Sequence, residues 1–341
     1  MPSPCVVIAK DAFEAWKPLF EAAALPVRYA IIHDPETAIL DGNRQDPKQL
    51  PAEVIWLTLE ALRGPLRRSF KHLLENAPEL RWVHSIAAGY DMPIAQNILK
   101  RGVRLTTSHV SSISIAEYVM RAILERFQRT DLAREARARK EYPRDDFREI
   151  YHSNWLIYGL GSIGSQIAER AGAFGAHTIG VRRNPSGTEA VDQLITPAEV
   201  AQHVGRADVV VLSVPSTADT QKIVNAEFIA RMKPGAMLVN IARAALVDEA
   251  AILAALDSGH LDWAMLDVHS VEEAWLYRKE RMDDSPLWTH PKIALSQHAA
   301  AHGNGRHERG AQLFIDNLRR YSADEPLPDE VRLDKWALSG S

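Results

Sequence analysis

Cysteine is almost missing from this chain: Cys5 is the only one, so no disulfide can form within it. Its place in the apolar run CVVIA predicts a buried structural thiol and not a nucleophile. No segment approaches the roughly 20 consecutive apolar residues that span a bilayer, which argues against membrane insertion. The first ten residues carry neither a basic leader nor a small-residue cleavage site, and a cytoplasmic location is expected. A strong charge of either sign is also missing, the formal net charge being −4. The one basic stretch, 134–140, is interleaved with Glu135 and alanines and followed by Glu141, the composition of a solvated helix face and not of a nucleic-acid-binding surface. Internal repeats and low-complexity linkers are absent. What is present, 341 residues of which 46% are hydrophobic, suffices for two globular domains with a core each.

Strand-like runs at 6–9, 27–32, 54–58 and 81–86 alternate with helical stretches at 12–24 and 66–76, an open α/β pattern. A long helical stretch over 114–139 follows, with serines at its start placed to cap it. A second series sets strands at 155–158, 177–181, 209–213, 237–241 and 263–268 around a helix over 162–174, and a run at 293–295 brings the count to six parallel strands. The amphipathic stretch 309–321 comes after the last strand and is placed to cross back to the first series. Trp155 and Trp288 read as core, whereas Trp275 falls in a charged segment and is placed to face a substrate or a partner chain.

Residues 154–164, NWLIYGLGSIG, carry the most information. An apolar strand runs into Gly159-Leu160-Gly161-Ser162-Ile163-Gly164 and then into a helix. Gly159 permits the tight turn, Gly161 lets backbone approach a pyrophosphate, and Gly164 lets the helix pack on the strand. A dinucleotide is the implied ligand. The end of the next strand, where an NAD-preferring protein would place Asp or Glu to accept from the ribose hydroxyls, holds Arg182 and Arg183. Two guanidiniums suit a 2′-phosphate, so NADP is expected ahead of NAD.

Further on, Asn240-Ile241-Ala242-Arg243, Asp267-Val268, then Glu272, and Gln297-His298 all follow strands whose carboxyl ends converge on one crevice in an open parallel sheet. An arginine, an acid and a histidine make chemical sense there for reducing a 2-keto acid. Histidine gives a proton to the carbonyl oxygen, a neighbouring carboxylate favours its protonated form, and arginine binds the substrate carboxylate. His298, His302 and His307 lack a further ligand of convincing spacing, and no metal is expected.

At these residues the chain resembles the D-isomer-specific 2-hydroxyacid dehydrogenases. Over 155–318 the segments GLGSIG, LSVPSTADT, MKPGAMLVNIARAALVDEAAILAAL, LDV, SPLW and SQHAAA look like that family's blocks in order. Earlier, Ala88-Gly89-Tyr90-Asp91 resembles its AGxD element and Ile115-Ala116-Glu117 its helix-opening AE. The resemblance implies a glyoxylate/hydroxypyruvate reductase-like enzyme of two open parallel-sheet α/β domains, Rossmann-like and flavodoxin-like, with a cleft between them. Residues 1–108 plus 300–341 would form a discontinuous substrate-binding domain, and 109–299 the dinucleotide-binding domain. Arg243 would orient the substrate, Glu272 would pair with His298, and His298 would donate the proton. Ala88 and Gly89 would offer N–H groups to the substrate carboxylate. Ser162 and Ile163 would contact the pyrophosphate, Asp267 the neighbourhood of the nicotinamide, and Pro215, Thr220 and Ala242 the cofactor groove. A homodimer through the 114–139 helix is also implied.

Some positions depart from the family. Glu272 is followed by Glu273-Ala274 where Pro is usual, so either acid is a candidate partner of His298. The segment WLYRKERMDD before Ser285-Pro286 is longer and more charged than usual, and Ala244 stands where glycine is customary. A different class of function on the same scaffold, a dinucleotide-sensing interaction protein without turnover, is disfavoured by retention of Arg243, Glu272 and His298. A formate-type enzyme is disfavoured because those relatives pair histidine with glutamine.

Overall fold

The computed structural model describes residues 3–90, 93–142, 144 and 146–331. The chain divides into two compact units, Met1–Val110 with Asn304–Ser341, and Ser111–Gly303.

In the first unit, among the described residues, strands β1 (Cys5–Ala9), β2 (Arg28–Asp34), β3 (Thr37–Leu40), β4 (Asn43–Gln45), β5 (Val54–Leu57), β6 (Trp82–Ser85) and β7 (Arg104–Thr106) form one sheet in the order β4-β3-β2-β1-β5-β6-β7. The five strands from β2 to β7 are parallel, and β1 and β5 are buried along their whole length, as continuous apolar runs require. Burial pushes the Cys5 thiol up to about 11, consistent with a structural and unreactive group. The edge differs from an all-parallel sheet: β3 and β4 add as an antiparallel hairpin turning at Asp41-Gly42, both at positive φ. At the opposite edge Thr106 pairs antiparallel with Glu330, the Val331 N–H donates to the Leu105 carbonyl at 2.8 Å, and Arg104 grips both oxygens of Glu330 at 2.9 Å. The helix Arg306–Ser322 lies on this sheet, with Phe314 stacked 4.9 Å from Trp56. The helical stretch expected over 12–24 is two helices, Lys10–Ala15 and Lys17–Ala23, because Pro18 near the start of the second cannot continue the first.

The second unit holds β8 (Asn154–Tyr158), β9 (His177–Val181), β10 (Gln193–Ile195), β11 (Val209–Leu212), β12 (Ala236–Asn240), β13 (Leu261–Leu266) and β14 (Ile293–Leu295), all parallel, in the order β10-β9-β8-β11-β12-β13-β14. The seventh strand is β10, Gln-Leu-Ile, which opens on a polar residue and buries only Ile195, so it shows no continuous apolar run. Chain direction across the sheet reverses between β8 and β11, and the loops at that switch point and beyond it carry the candidate site. The stretch expected as one helix over 114–139 breaks into Ser112–Phe127 and Thr130–Arg139 at Arg129, whose φ is +51°. Its serines do not cap it: Ser111 makes no side-chain cap, and the Ser114 hydroxyl donates back to the Ser111 carbonyl. Trp155 is core, but Trp288 is 45% exposed, with its Nε1 bonded to the Met282 carbonyl, so the expectation of a core residue fails there. Trp275 is likewise exposed. Among the described residues no helix is long and apolar enough to cross a membrane.

Candidate functional site

Each glycine of the turn after β8 answers to a different constraint. Gly159 has φ +106°, and a Cβ there would stand 2.8 Å from the Ser213 carbonyl oxygen. Gly164 faces inward, where a Cβ would overlap the Gly159 carbonyl oxygen, itself the acceptor of the Ser213 hydroxyl at 2.6 Å. A Cβ on Gly161, by contrast, would meet nothing within 4 Å. The helix Ser162–Ala173 begins at Gly161 without a side-chain cap, leaving first-turn N–H groups of exposed Ser162 and half-buried Ile163 for a ligand. Open space over Gly161 and unspent donors beside it fit a pyrophosphate.

At the end of β9, Arg182 is bound at 2.8 Å to Glu189, seven residues on. The Ser186 N–H also donates to that carboxylate and holds it well below its usual range, to about 2. Arg183 is 61% exposed and lies 3.9 Å from Asp219. The two arginines therefore differ in degree: Arg182 is held at 2.8 Å by a nearly buried acid that strand-end spacing does not reveal, whereas Arg183 faces an exposed acid at 3.9 Å and is the more loosely held. Pro215 is exposed, while the Thr220 hydroxyl is buried and donates to the Pro215 carbonyl at 2.8 Å, tying the loop after β11 into a closed turn.

Beyond the switch point, three strand ends come together. Asn240, fully buried, accepts from the Ala242 N–H at 3.1 Å and donates to the Arg243 carbonyl at 2.8 Å, which fixes the loop that presents Arg243. The Arg243 side chain is part-buried, and its Nη1 donates to the Ala242 carbonyl at 2.6 Å. After β13, Asp267 is 2% exposed and holds the loop after β14: its carboxylate accepts from the Ser296 hydroxyl at 2.6 Å and from the Ala299 and Ala300 N–H groups at 2.9 and 3.2 Å. Its carbonyl accepts from the His298 N–H at 2.9 Å. His298 sits within this clasp at φ +54°.

Glu272 closes the group. Its Oε1 lies 2.6 Å from His298 Nδ1, with the carboxylate side chain 10% exposed and the imidazole 44%. Glu273 does not make this contact; burial raises its carboxyl above the usual range. The hydrogen bond to Glu272 raises the His298 pKa, against burial and against the charge of nearby Arg243. Among the described residues His298 Nε2 has no hydrogen-bond partner, so the ring presents one nitrogen for chemistry and keeps the other for its acid. Two residues that the sequence did not single out hold Glu272 in place. His269 accepts the Glu272 N–H, and Glu249 accepts from the N–H and hydroxyl of Ser270. Histidine is not among the favoured helix caps, and a remote glutamate has no fixed spacing, so neither had a signal to find.

In the first unit, Ala88 is exposed and Gly89 half-buried, on the bend after β6, and neither N–H donates to a group among the described residues. Asp91, of the same element, lies outside the described residues. No group of three or more His, Cys, Asp or Glu able to hold a metal occurs among the described residues.

Comparison with known proteins adds to this geometry. The family model "D-isomer specific 2-hydroxyacid dehydrogenase, NAD binding domain" matches residues 118–300. A D-3-phosphoglycerate dehydrogenase of Mycobacterium leprae is 30% identical over 275 residues, covering 77% of this chain and 49% of that protein. The chain thus spans about half the length of that curated relative. A glyoxylate/hydroxypyruvate reductase A of Salmonella heidelberg is 33% identical over 195 residues, 55% of this chain and 58% of that one. A solved D-isomer specific 2-hydroxyacid dehydrogenase family protein from Aeromonas salmonicida superposes with a TM-score of 0.77 at 25% identity, covering 98% of this chain and 100% of its own. With the glycine turn and the Arg243, Glu272 and His298 loops lying in or beside the matched segment, the chain belongs to the D-isomer specific 2-hydroxyacid dehydrogenase family.

Proposed function

We propose that the protein reduces a small 2-keto acid, glyoxylate or hydroxypyruvate in the first instance, to the D-2-hydroxy acid, with NADPH preferred over NADH. The observation that carries this reading is the 2.6 Å contact between His298 and Glu272 with the charge of Arg243 beside it. A bound nicotinamide dinucleotide supplies the hydride. His298, protonated, gives the Nε2 proton to the carbonyl oxygen as charge builds there, and Glu272 holds the ring and favours its charged form. Arg243 anchors the substrate carboxylate and polarises the carbonyl, with the Ala88 and Gly89 N–H groups as further donors. Gly161, Ser162 and Ile163 would take the pyrophosphate, and Pro215, Thr220, Ala242 and Asp267 would border the cofactor. Asp267 would do so mainly through the loop it clasps.

Arg183 supports the NADPH preference: an extended guanidinium stands where an acid would otherwise read the ribose. Arg182, shared with Glu189, is its lesser partner. The same reading has residues 1–108 plus 300–341 as the substrate-binding domain and 109–299 as the dinucleotide-binding domain of a cytoplasmic homodimer. A spectrophotometric screen tests it, with NADPH and NADH each offered glyoxylate, hydroxypyruvate and other 2-keto acids, and D-3-phosphoglycerate in the oxidative direction. NADPH oxidation with a 2-keto acid is expected. Cofactor binding without turnover on any acid would instead mark a dinucleotide sensor, and faster turnover with NADH would overturn the cofactor preference.

A further inference from the structure

His269 is 1% exposed, and both its ring nitrogens are spent. It precedes the four-residue helix Ser270–Glu273, where its Nδ1 accepts the Glu272 N–H at 3.2 Å. Its Nε2 donates to the Ser296 carbonyl at 3.0 Å. The pattern assigns the tautomer: a nitrogen that accepts from an N–H carries no proton, so the proton is on Nε2 and the ring is neutral. One imidazole thereby joins the segment that carries Glu272 to the segment that, two residues later, carries His298.

The helix Ser270–Glu273 runs straight on into a π-helix, Ala274–Arg278, so its first turn, whose N–H groups have no partner within the helix, is where an outside tie sets the position of Glu272. The other brace, Glu249, grips Ser270 at 2.7 and 2.5 Å but joins it to the helix Glu249–Asp257, not to the His298 segment. The Asp267 carboxylate bonds Ser296, Ala299 and Ala300 and makes no bond to Glu272. Of the charged groups that act on His298, namely Glu272, Asp267 and Arg243, Glu272 is the one bonded to its ring, and so the one whose effect depends most steeply on position.

We propose that His269 is a positioning residue: through Glu272 and Ser296 it sets the approach of the Glu272 carboxylate to the His298 ring. Its effect on turnover rests on the reading of His298 as proton donor; its effect on titration does not.

The test is an NMR titration of His298 in protein labelled with 13C-histidine, the signal assigned with His298→Ala, in the native chain, His269→Phe and His269→Asn. Phe keeps a ring and removes both bonds; Asn keeps an acceptor suited to the helix N-cap but is too short to reach Ser296. The His298 midpoint should fall in the Phe variant and fall less in the Asn variant. Turnover should drop between about ten- and a hundredfold in His269→Phe with the KM for NADPH unchanged, as for a misplaced catalytic group. A midpoint at the native value in a folded His269→Phe overturns the proposal. Should that variant fail to fold, His269→Asn decides by the same criterion, a native midpoint again overturning it. A chain inactive on every 2-keto acid whose midpoint still shifts defeats the proposed function and leaves this inference standing; an active enzyme with an unmoved midpoint does the reverse.

Discussion

Glu272 and His298 are 26 residues apart in sequence, yet Oε1 of one meets Nδ1 of the other at 2.6 Å, the acid nearly buried and the imidazole nearly half exposed. That asymmetry favours the charged imidazole, and the His298 pKa stands above its ordinary value because the bond to Glu272 outweighs burial and Arg243. The donor is lost when the ring deprotonates, so kcat/KM for reduction should hold at lower pH and fall as pH rises through the raised pKa. Glu272→Gln should move that fall to lower pH and reduce turnover by roughly 10- to 100-fold, at the lower end of what a positioned proton donor contributes. A pH–rate profile of both proteins checks this; an alkaline limb that stays put in the variant contradicts it. The same shift stabilises the fold below the unfolded-state pKa of His298, a contribution lost as pH rises through the folded one.

His298→Ala should lower turnover by about 10² to 10⁴, the range for a general acid, while cofactor affinity measured by fluorescence titration stays within about twofold. Wild-type turnover in this variant would remove His298 from the chemistry.

Gly161 and Gly164 separate binding from folding. Gly161→Ala places a methyl in open space, so thermal stability should change by less than about 1 kcal/mol while affinity for the dinucleotide drops sharply. Gly164→Ala forces the helix away from the Gly159 carbonyl and should destabilise the unit by about 1–3 kcal/mol, as overpacking does. Paired melting curves and cofactor titrations decide, and equal effects of the two substitutions on stability would refute the distinction.

Arg183→Ala should raise the KM for NADPH about ten- to a hundredfold, the worth of a charge-assisted hydrogen bond, and leave that for NADH nearly unchanged. Arg182→Ala should do less, because its charge is already shared with Glu189. Steady-state kinetics with the two cofactors measure both.

Much of the second unit is legible in sequence because steric demands write themselves as glycines: β8, the turn and its helix can be placed from residues 154–164 alone. The reacting residues are legible only as members of blocks, since each follows a different strand and nothing local joins them. The choice between Glu272 and Glu273 is not legible at all; tandem acids on a short helix differ only in what their tertiary neighbours allow, here His298 on one and burial on the other. Arg129 breaks a helix with neither glycine nor proline to announce it. The β3–β4 hairpin escapes for a different reason: β4 is polar throughout and shows no alternation, although Asp41-Gly42 carries its turn signal.

The two margins of the first sheet have a consequence for how this chain behaves when crowded. An open sheet ends in rows of unpaired backbone groups that invite strands from other molecules. Here one margin ends in Asn43, Arg44 and Gln45, short, solvated and carrying a positive charge, and the other is covered around Leu105 and Thr106 by residues 329–331. Both margins are thus guarded against strand-by-strand growth into aggregates, a safeguard that costs the fold one polar hairpin and a few residues of backbone.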